Sequence, residues 1–239
     1  MRRLTSLCSR RHGAAGAGNL AGECVVRNVL MPFRLRVGCA HCGPGTFRLL
    51  DVGCGSHSPT ITKKWFPACE YHGLDYRTCG NDEDDARATH RHYNIDLSRQ
   101  SLDPVPDAFF EVVLMAHSVE HLRNGLDVVR ALATKLKAGG RIYVEFPSER
   151  SLSLPSMRGT LQFCDDPTHV RLYSVRELSN VLMESGLRVV RAGRRRDWLR
   201  LWLLPILLPA KLVLRGRLEA GDVWDLMGFA DYVLAMKPL

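Results

Sequence analysis

The stretch LLDVGCGSHSP, residues 49–59, constrains this chain more than any other. A short apolar run ends on Asp51 and breaks at once into Gly53-Cys54-Gly55. A strand covered on both faces reads as an unbroken apolar run, and glycines just beyond it let the backbone come close to a ligand. The same punctuation continues downstream. FRLLDV (47–52), EYHGLDY (70–76), FFEVVLMA (109–116), RIYVEFP (141–147), LRVVRAG (187–193) and ADYVLAMKP (230–238) read as strands. Leu122, Leu126, Val129, Ala133 and Leu136 recur at helical steps, predicting a helix over 122–138 that Gly139-Gly140 closes. Ser174 with Glu177 three residues on opens another, over 174–186, as a capping box. Strands alternating with helices predict an α/β fold, a parallel sheet with helices on both faces.

In such a sheet the ligand lies beyond the carboxyl ends of the strands, where the Gly53 turn falls. Three ligands compete for it. A nucleoside triphosphate needs a Lys and a Ser or Thr after the second glycine of a P-loop, and neither is in place. A dinucleotide wants a third glycine at position 58, which is Ser58. S-adenosylmethionine remains, with no phosphate to hold and a ribose that suits a carboxylate. Asp75, twenty residues past Gly55 at the end of the next strand, is that carboxylate.

The chain resembles the class I S-adenosylmethionine-dependent methyltransferases. The matching pieces are LLDVGCGS (49–56), GLDY (73–76), NIDLS (94–98), FFEVVLMAHSVEHL (109–122), LKAGGRIYVEFPS (136–148) and DDPTHVRLYSVREL (165–178). The resemblance implies a Rossmann-like doubly wound sheet whose final strand is antiparallel. It implies that Asp51, Gly53, Cys54 and Gly55 hold the methionine end of the cofactor and Asp75 with Tyr76 the ribose. Asp96, with Ile95 and Leu97, would flank the adenine, and Ala116-His117 would line the pocket. The family often has a third glycine where this chain has His57.

Methyl transfer from a sulfonium mainly needs alignment, and a base only where the acceptor must lose a proton. Histidine titrates near working pH. His117, at the end of the fourth strand, and His169, in a DPTH loop with Asp166, are the candidate catalytic residues. His117, Glu120 and His121 would share one helical face only if a helix began as early as His117, and no residue is assigned to a metal. The acidic run NDEDD (81–85) reads as a solvated loop, and Cys39-Ala-His-Cys42 as ordinary thiols without a second pair at zinc spacing.

Charge divides the chain. Residues 1–48 carry eight Arg against Glu23 alone, 49–187 are net acidic, and 188–239 are basic again. This sets out a basic, partly loose extension over 1–44, a core over 45–193, an insertion over 194–228 and a final strand over 229–239. Basic flanks without interleaved aromatics at the site argue against nucleic acid as partner. The Gly/Ala-rich stretch 12–22 and the N-terminal arginines suit a loose or targeting-like start. Eight scattered Cys, one inside the glycine turn, read as reduced thiols of a cytoplasmic protein. In the insertion, Leu201–Ala210 is uncharged, too short to span a bilayer and broken by Pro205 and Pro209. Trp198, Trp202 and seven basic residues around it suit peripheral contact of 198–214 with a membrane, or a cap over the acceptor pocket. The reading is an O-methyltransferase for a small-molecule, glycan or lipid-linked acceptor. A silent cofactor-binding regulator and an RNA methyltransferase are the alternatives.

Overall fold

The computed structural model describes residues 30–76 and 83–239. Its seven strands are β1 (Arg48–Val52), β2 (Glu70–Asp75), β3 (Arg91–Asn94), β4 (Phe110–Ala116), β5 (Leu136–Pro147), β6 (Arg188–Arg194) and β7 (Ala230–Met236). They form one sheet in the order β3-β2-β1-β4-β5-β7-β6. β1 pairs in parallel with β2 and β4, β4 with β5, and β7 runs antiparallel to both β5 and β6. The doubly wound, mostly parallel sheet is as expected, including the antiparallel last strand.

The apolar runs explain why the central strands are central. Leu49, Leu50, Val52, Val112, Val113, Leu114, Met115, Ile142 and Val144 are fully buried. Each such side chain contributes about 1.5–3 kcal/mol over an exposed one. The helices are α1 (Phe33–Gly38), α2 (Ser58–Trp65), α3 (Glu83–Ala88), α4 (Gly125–Lys135), α5 (Val175–Glu184), α6 (Trp198–Arg215) and α7 (Ala220–Met227). α1, within the stretch read as a basic extension, packs on β4 and β5 and buries Leu35 completely. α5 begins with the Ser174–Glu177 capping box that the sequence predicts.

Several local expectations change. α4 stops at Lys135, and Gly139-Gly140 belong to β5 instead of closing a helix. A Cβ on Gly140 would stand 2.9 Å from the Phe110 carbonyl oxygen, so this glycine lets β5 pass close to β4 at a register shift. Pro205 and Pro209 do not break the insertion: both sit inside the continuous α6. Both are exposed, so the carbonyls that lose a donor are not trapped in a core. Asp85 is not a solvated loop residue but is 1% exposed. It accepts from the His57 and Thr60 amides, capping α2 from the neighbouring helix. Cys39, Cys42, Cys69 and Cys164 are free thiols, whereas Cys54 is disulfide-bonded, against the expectation of reduced thiols throughout. Stretch 12–22, the N-terminal arginines and Asn81-Asp82 lie outside the described residues.

Candidate active site

Strand order reverses between β1 and β4, and the crevice there is where a sheet of this kind takes its ligand. A cavity of about 620 Å³ opens at that point. Gly53, Leu74, Asp75 and Tyr76 line one side, Ile95, Asp96, Leu97 and Ser98 another, and His117, Ser118, His121, Asp166 and Thr168 the far wall. A smaller cavity of about 220 Å³ continues past Gly53 and Cys54 to Asp51, Ala116, Ser58 and Arg34.

The turn after β1 has the shape a close-bound ligand needs. Gly53 has φ +70°, and a Cβ there would meet Ser118 Oγ at 2.0 Å. Only glycine fits. His57 adopts φ 64° at the start of α2, the left-handed conformation that a glycine takes freely. Asp85 holds it there through the His57 amide at 2.7 Å and lies 3.7 Å from the ring. The replaced third glycine therefore leaves the turn conformation intact. Asp75 reaches back from β2 to the Gly55 amide at 3.4 Å, tying strand to turn. Asp96 is braced by Ser98, whose amide and hydroxyl both donate to its Oδ1.

Asp51 points into the smaller cavity. It is 3% exposed and accepts from Ser58 Oγ at 2.6 Å and Tyr71 OH at 2.8 Å. Arg34 of α1 donates to the same Ser58 at 2.9 Å, placing a guanidinium beside the glycine turn. Nothing in the sequence singles out Arg34. Its place depends on α1 folding back onto the sheet.

His117 is the hub of the far wall. Its Nε2 lies 2.9 Å from Glu145 Oε1 and its Nδ1 3.4 Å from Glu120 Oε1. Burial alone would lower its pKa, but the two carboxylates outweigh that and raise it to about 9. At neutral pH the ring is an imidazolium, and both nitrogens donate. Arg195 lies 3.0 Å from Glu145 and 3.2 Å from Asp225. Against the cost of burial, the Arg195 charge and the His117 hydrogen bond hold the Glu145 carboxyl well below its usual range. Trp224 of α7 packs on the His117 ring with centroids 4.8 Å apart. The insertion thus reaches the cavity wall through α7.

His117 has φ 53° and precedes a short 3-10 turn, Val119–His121, so no helix carries His117, Glu120 and His121 on one face. The loop after β5 docks onto that turn: the Val170 and Arg171 amides both donate to the Glu120 carbonyl. It brings Asp166 and Thr168 to the cavity and leaves His169 behind them, its side chain 5% exposed. His169 Nε2 is 3.9 Å from Asp166 Oδ2. Cys39 and Cys42 lie away from the site, and burial pushes the Cys42 thiol up to about 12.

Residues 6–192 match a family model described as a methyltransferase domain. The chain belongs to the methyltransferase domain family. Over 103 residues this methyltransferase-domain protein is 30% identical to the 27-O-demethylrifamycin SV methyltransferase of Amycolatopsis mediterranei (strain S699), covering 40% of the chain and 36% of that relative. The chain thus spans about a third of the length of that curated relative. A solved S-adenosylmethionine-dependent methyltransferase from Archaeoglobus fulgidus is 21% identical, with TM-score 0.56 over 93% of this chain and 100% of the other. Another is the 1,6-didemethyltoxoflavin-N1-methyltransferase of Burkholderia thailandensis, with 1,6-didemethyltoxoflavin and S-adenosylhomocysteine bound, 13% identical at TM-score 0.54 over 95% and 94%. These likenesses establish the class I fold. The residues present fit the family's cofactor, S-adenosylmethionine. Gly53 has no room for a side chain, Asp75 and Asp96 line the cavity, and Arg34 and Asp51 lie where an amino-acid end would extend.

Proposed function

We propose that the protein transfers the methyl group of S-adenosylmethionine to an oxygen of a small-molecule, glycan-linked or lipid-linked acceptor. One observation carries this reading: a single cavity is walled at one end by Gly53, Asp75 and Asp96 and at the other by polar residues that such a cofactor does not need. At the first end, Asp75 accepts from the ribose hydroxyls, Asp96 and Leu97 flank the base, and the Gly53–Gly55 turn with Asp51 and Arg34 holds the methionine part. At the second, the acceptor oxygen approaches the methyl carbon. The new C–O bond forms as the C–S bond breaks, the electron pair stays on sulfur, and the hydroxyl proton passes to Asp166, with His169 behind it. His117 remains charged and fixes the wall between the two ends. Alignment and exclusion of water provide most of the effect, up to about 7–11 kcal/mol where the geometry is ideal. The relative from Amycolatopsis, named for a substrate with a demethylated oxygen, supports oxygen as the methylated atom.

The same proposal includes peripheral membrane contact through 198–214. Among the described residues no helix is long and apolar enough to cross a membrane. α6 buries only Leu204 and exposes Trp198, Trp202, Ile206 and Val213, which recur at helical spacing on one side. Arg196 and Arg215 lie near the two ends of the stripe and suit an anionic lipid surface, whereas Arg195, Arg200 and Lys211 are engaged by Glu145, the Gly221 carbonyl and Asp222. The acceptor reading is tested by incubating the protein with methyl-labelled cofactor and a cell extract split into small-molecule, lipid, glycan, RNA and protein fractions. Label is expected in the small-molecule, glycan or lipid fraction. Label confined to RNA or protein would refute it.

A further inference from the structure

The run Arg194-Arg195-Arg196 puts one guanidinium inside the protein. The Arg195 amide donates to the Ala230 carbonyl, which pins the residue against β7 just beyond the end of β6. Its side chain, 12% exposed, lies between the Phe33 ring of α1, 5.7 Å away, and the Trp224 ring of α7, 5.9 Å away. Nη1 donates to Glu145 Oε1 at 3.0 Å and Nη2 to Asp225 Oδ2 at 3.3 Å. One cation thus bridges a buried carboxylate of β5 and another of α7.

Stability does not account for this bridge. Taking charges out of water costs about as much as pairing them returns, and apolar side chains of similar size serve a core as well. The remaining contacts of Glu145 give the bridge another use. Its Oε1 also accepts from His117 Nε2 at 2.9 Å, and Tyr143 donates its hydroxyl to the other oxygen, so three donors fix the carboxylate. The face of the His117 ring packs on Trp224, which neighbours Asp225 on α7. α7 therefore reaches His117 by two routes, directly through Trp224 and in sequence through Asp225, Arg195 and Glu145. A ring held at its face and its edge cannot tilt without breaking one of them. That ring lines the main cavity, and Arg195 itself lines neither cavity.

We propose that Arg195 is a positioning residue for methyl transfer, fixing the His117 ring at the cavity wall through Glu145 and tying that wall to the helical insertion. It deepens the functional reading and rests on the acceptor meeting the His117 wall, not on which acceptor that is. Small displacements at such a wall are costly, because transfer depends on alignment.

Three variants of the full chain test it. Arg195→Met removes the charge at similar length, Arg195→Lys keeps the charge without the fork, and Asp225→Asn cuts the bridge at α7 with Arg195 in place. Each is compared with wild type in S-adenosylhomocysteine affinity and in label passed from methyl-labelled cofactor to any fraction of a cell extract. The His117 titration is followed by ring ¹⁵N–¹H NMR, assigned with His117→Gln. Arg195→Met is expected to bind S-adenosylhomocysteine within about twofold of wild type and to lose roughly 10–100-fold in turnover. Its His117 should titrate lower than in wild type, because a Glu145 released from Arg195 moves off the ring. A Glu145 that stayed in place would give the opposite sign, since removing one cation raises the pKa of its neighbour. Arg195→Lys is expected to regain most of the turnover. Asp225→Asn should fall between the two, which keeps the test open if Arg195→Met does not fold. An unchanged or raised His117 titration in the folded variants, or wild-type turnover in them, would overturn the proposal. Equal losses of cofactor affinity and turnover would make the bridge merely structural and overturn it as well. Which fraction takes the label bears on the acceptor reading alone.

Discussion

The two ends of the main cavity are built in different ways. The end proposed for the cofactor stands on strand termini: Gly53 follows β1 directly and Asp75 ends β2. The end proposed for the acceptor is held by contacts across long stretches of chain. His121 meets Thr168 forty-seven residues on, and Tyr173 reaches back fifty-one to the Leu122 carbonyl. A site on strand ends inherits its geometry from the sheet. A site made where two loops meet can change its chemistry without disturbing the sheet, which is how one fold comes to serve many acceptors.

Glu145 joins the two ends, because it holds His117 from β5 and pairs with Arg195. Glu145→Ala leaves two partly buried cations without their shared carboxylate and is expected to cost about 3 kcal/mol in urea unfolding. A loss under about 1 kcal/mol would mean that the wall is not a charged network. Gly53→Ala attacks the end proposed for the cofactor first. Its side chain would clash with Ser118 at a positive φ, a strain of about 1–3 kcal/mol, and S-adenosylhomocysteine affinity is expected to fall on the order of 10–100-fold. Unchanged affinity would break the contrast, since the turn would then not touch the ligand.

Asp166→Asn attacks the other end. Turnover is expected to drop by roughly 10²-fold while cofactor affinity stays within about twofold. Equal losses in both would show that the ends are not separable. Trp202→Ala should have the smallest effect on the fold. Trp202 is 81% exposed, so stability should stay within about 0.5 kcal/mol of wild type. Co-sedimentation with anionic liposomes should nevertheless weaken. Full-length protein that never sediments would end the membrane reading.

The contrast also explains what could be read from sequence. Asp51, Gly53, Gly55 and Asp75 are local to a strand and its turn, and apolar periodicity locates both. The capping box of α5 is equally local. β3 passed unread as a strand because RHYN buries only Tyr93 and shows no apolar run. The contact between His121 and Thr168 was invisible, since it depends on a loop folding onto a 3-10 turn. Asp85 looked like one acid among several, and only the approach of α3 to α2 gives it a partner. The prolines of α6 misled for a physical reason: an exposed helix face tolerates a missing amide that a buried one would not.

The central claim is that the crevice beyond β1 and β2 holds the nucleoside and amino-acid parts of S-adenosylmethionine, with Asp75 on the ribose. Calorimetric titration of S-adenosylhomocysteine into wild type and Asp75→Asn tests it most directly. The account predicts one site per chain in the wild type and a clear loss of affinity in the variant, with the variant's melting temperature preserved. Equal affinity in both, or no heat from the wild type under conditions where it binds a dinucleotide instead, would contradict it.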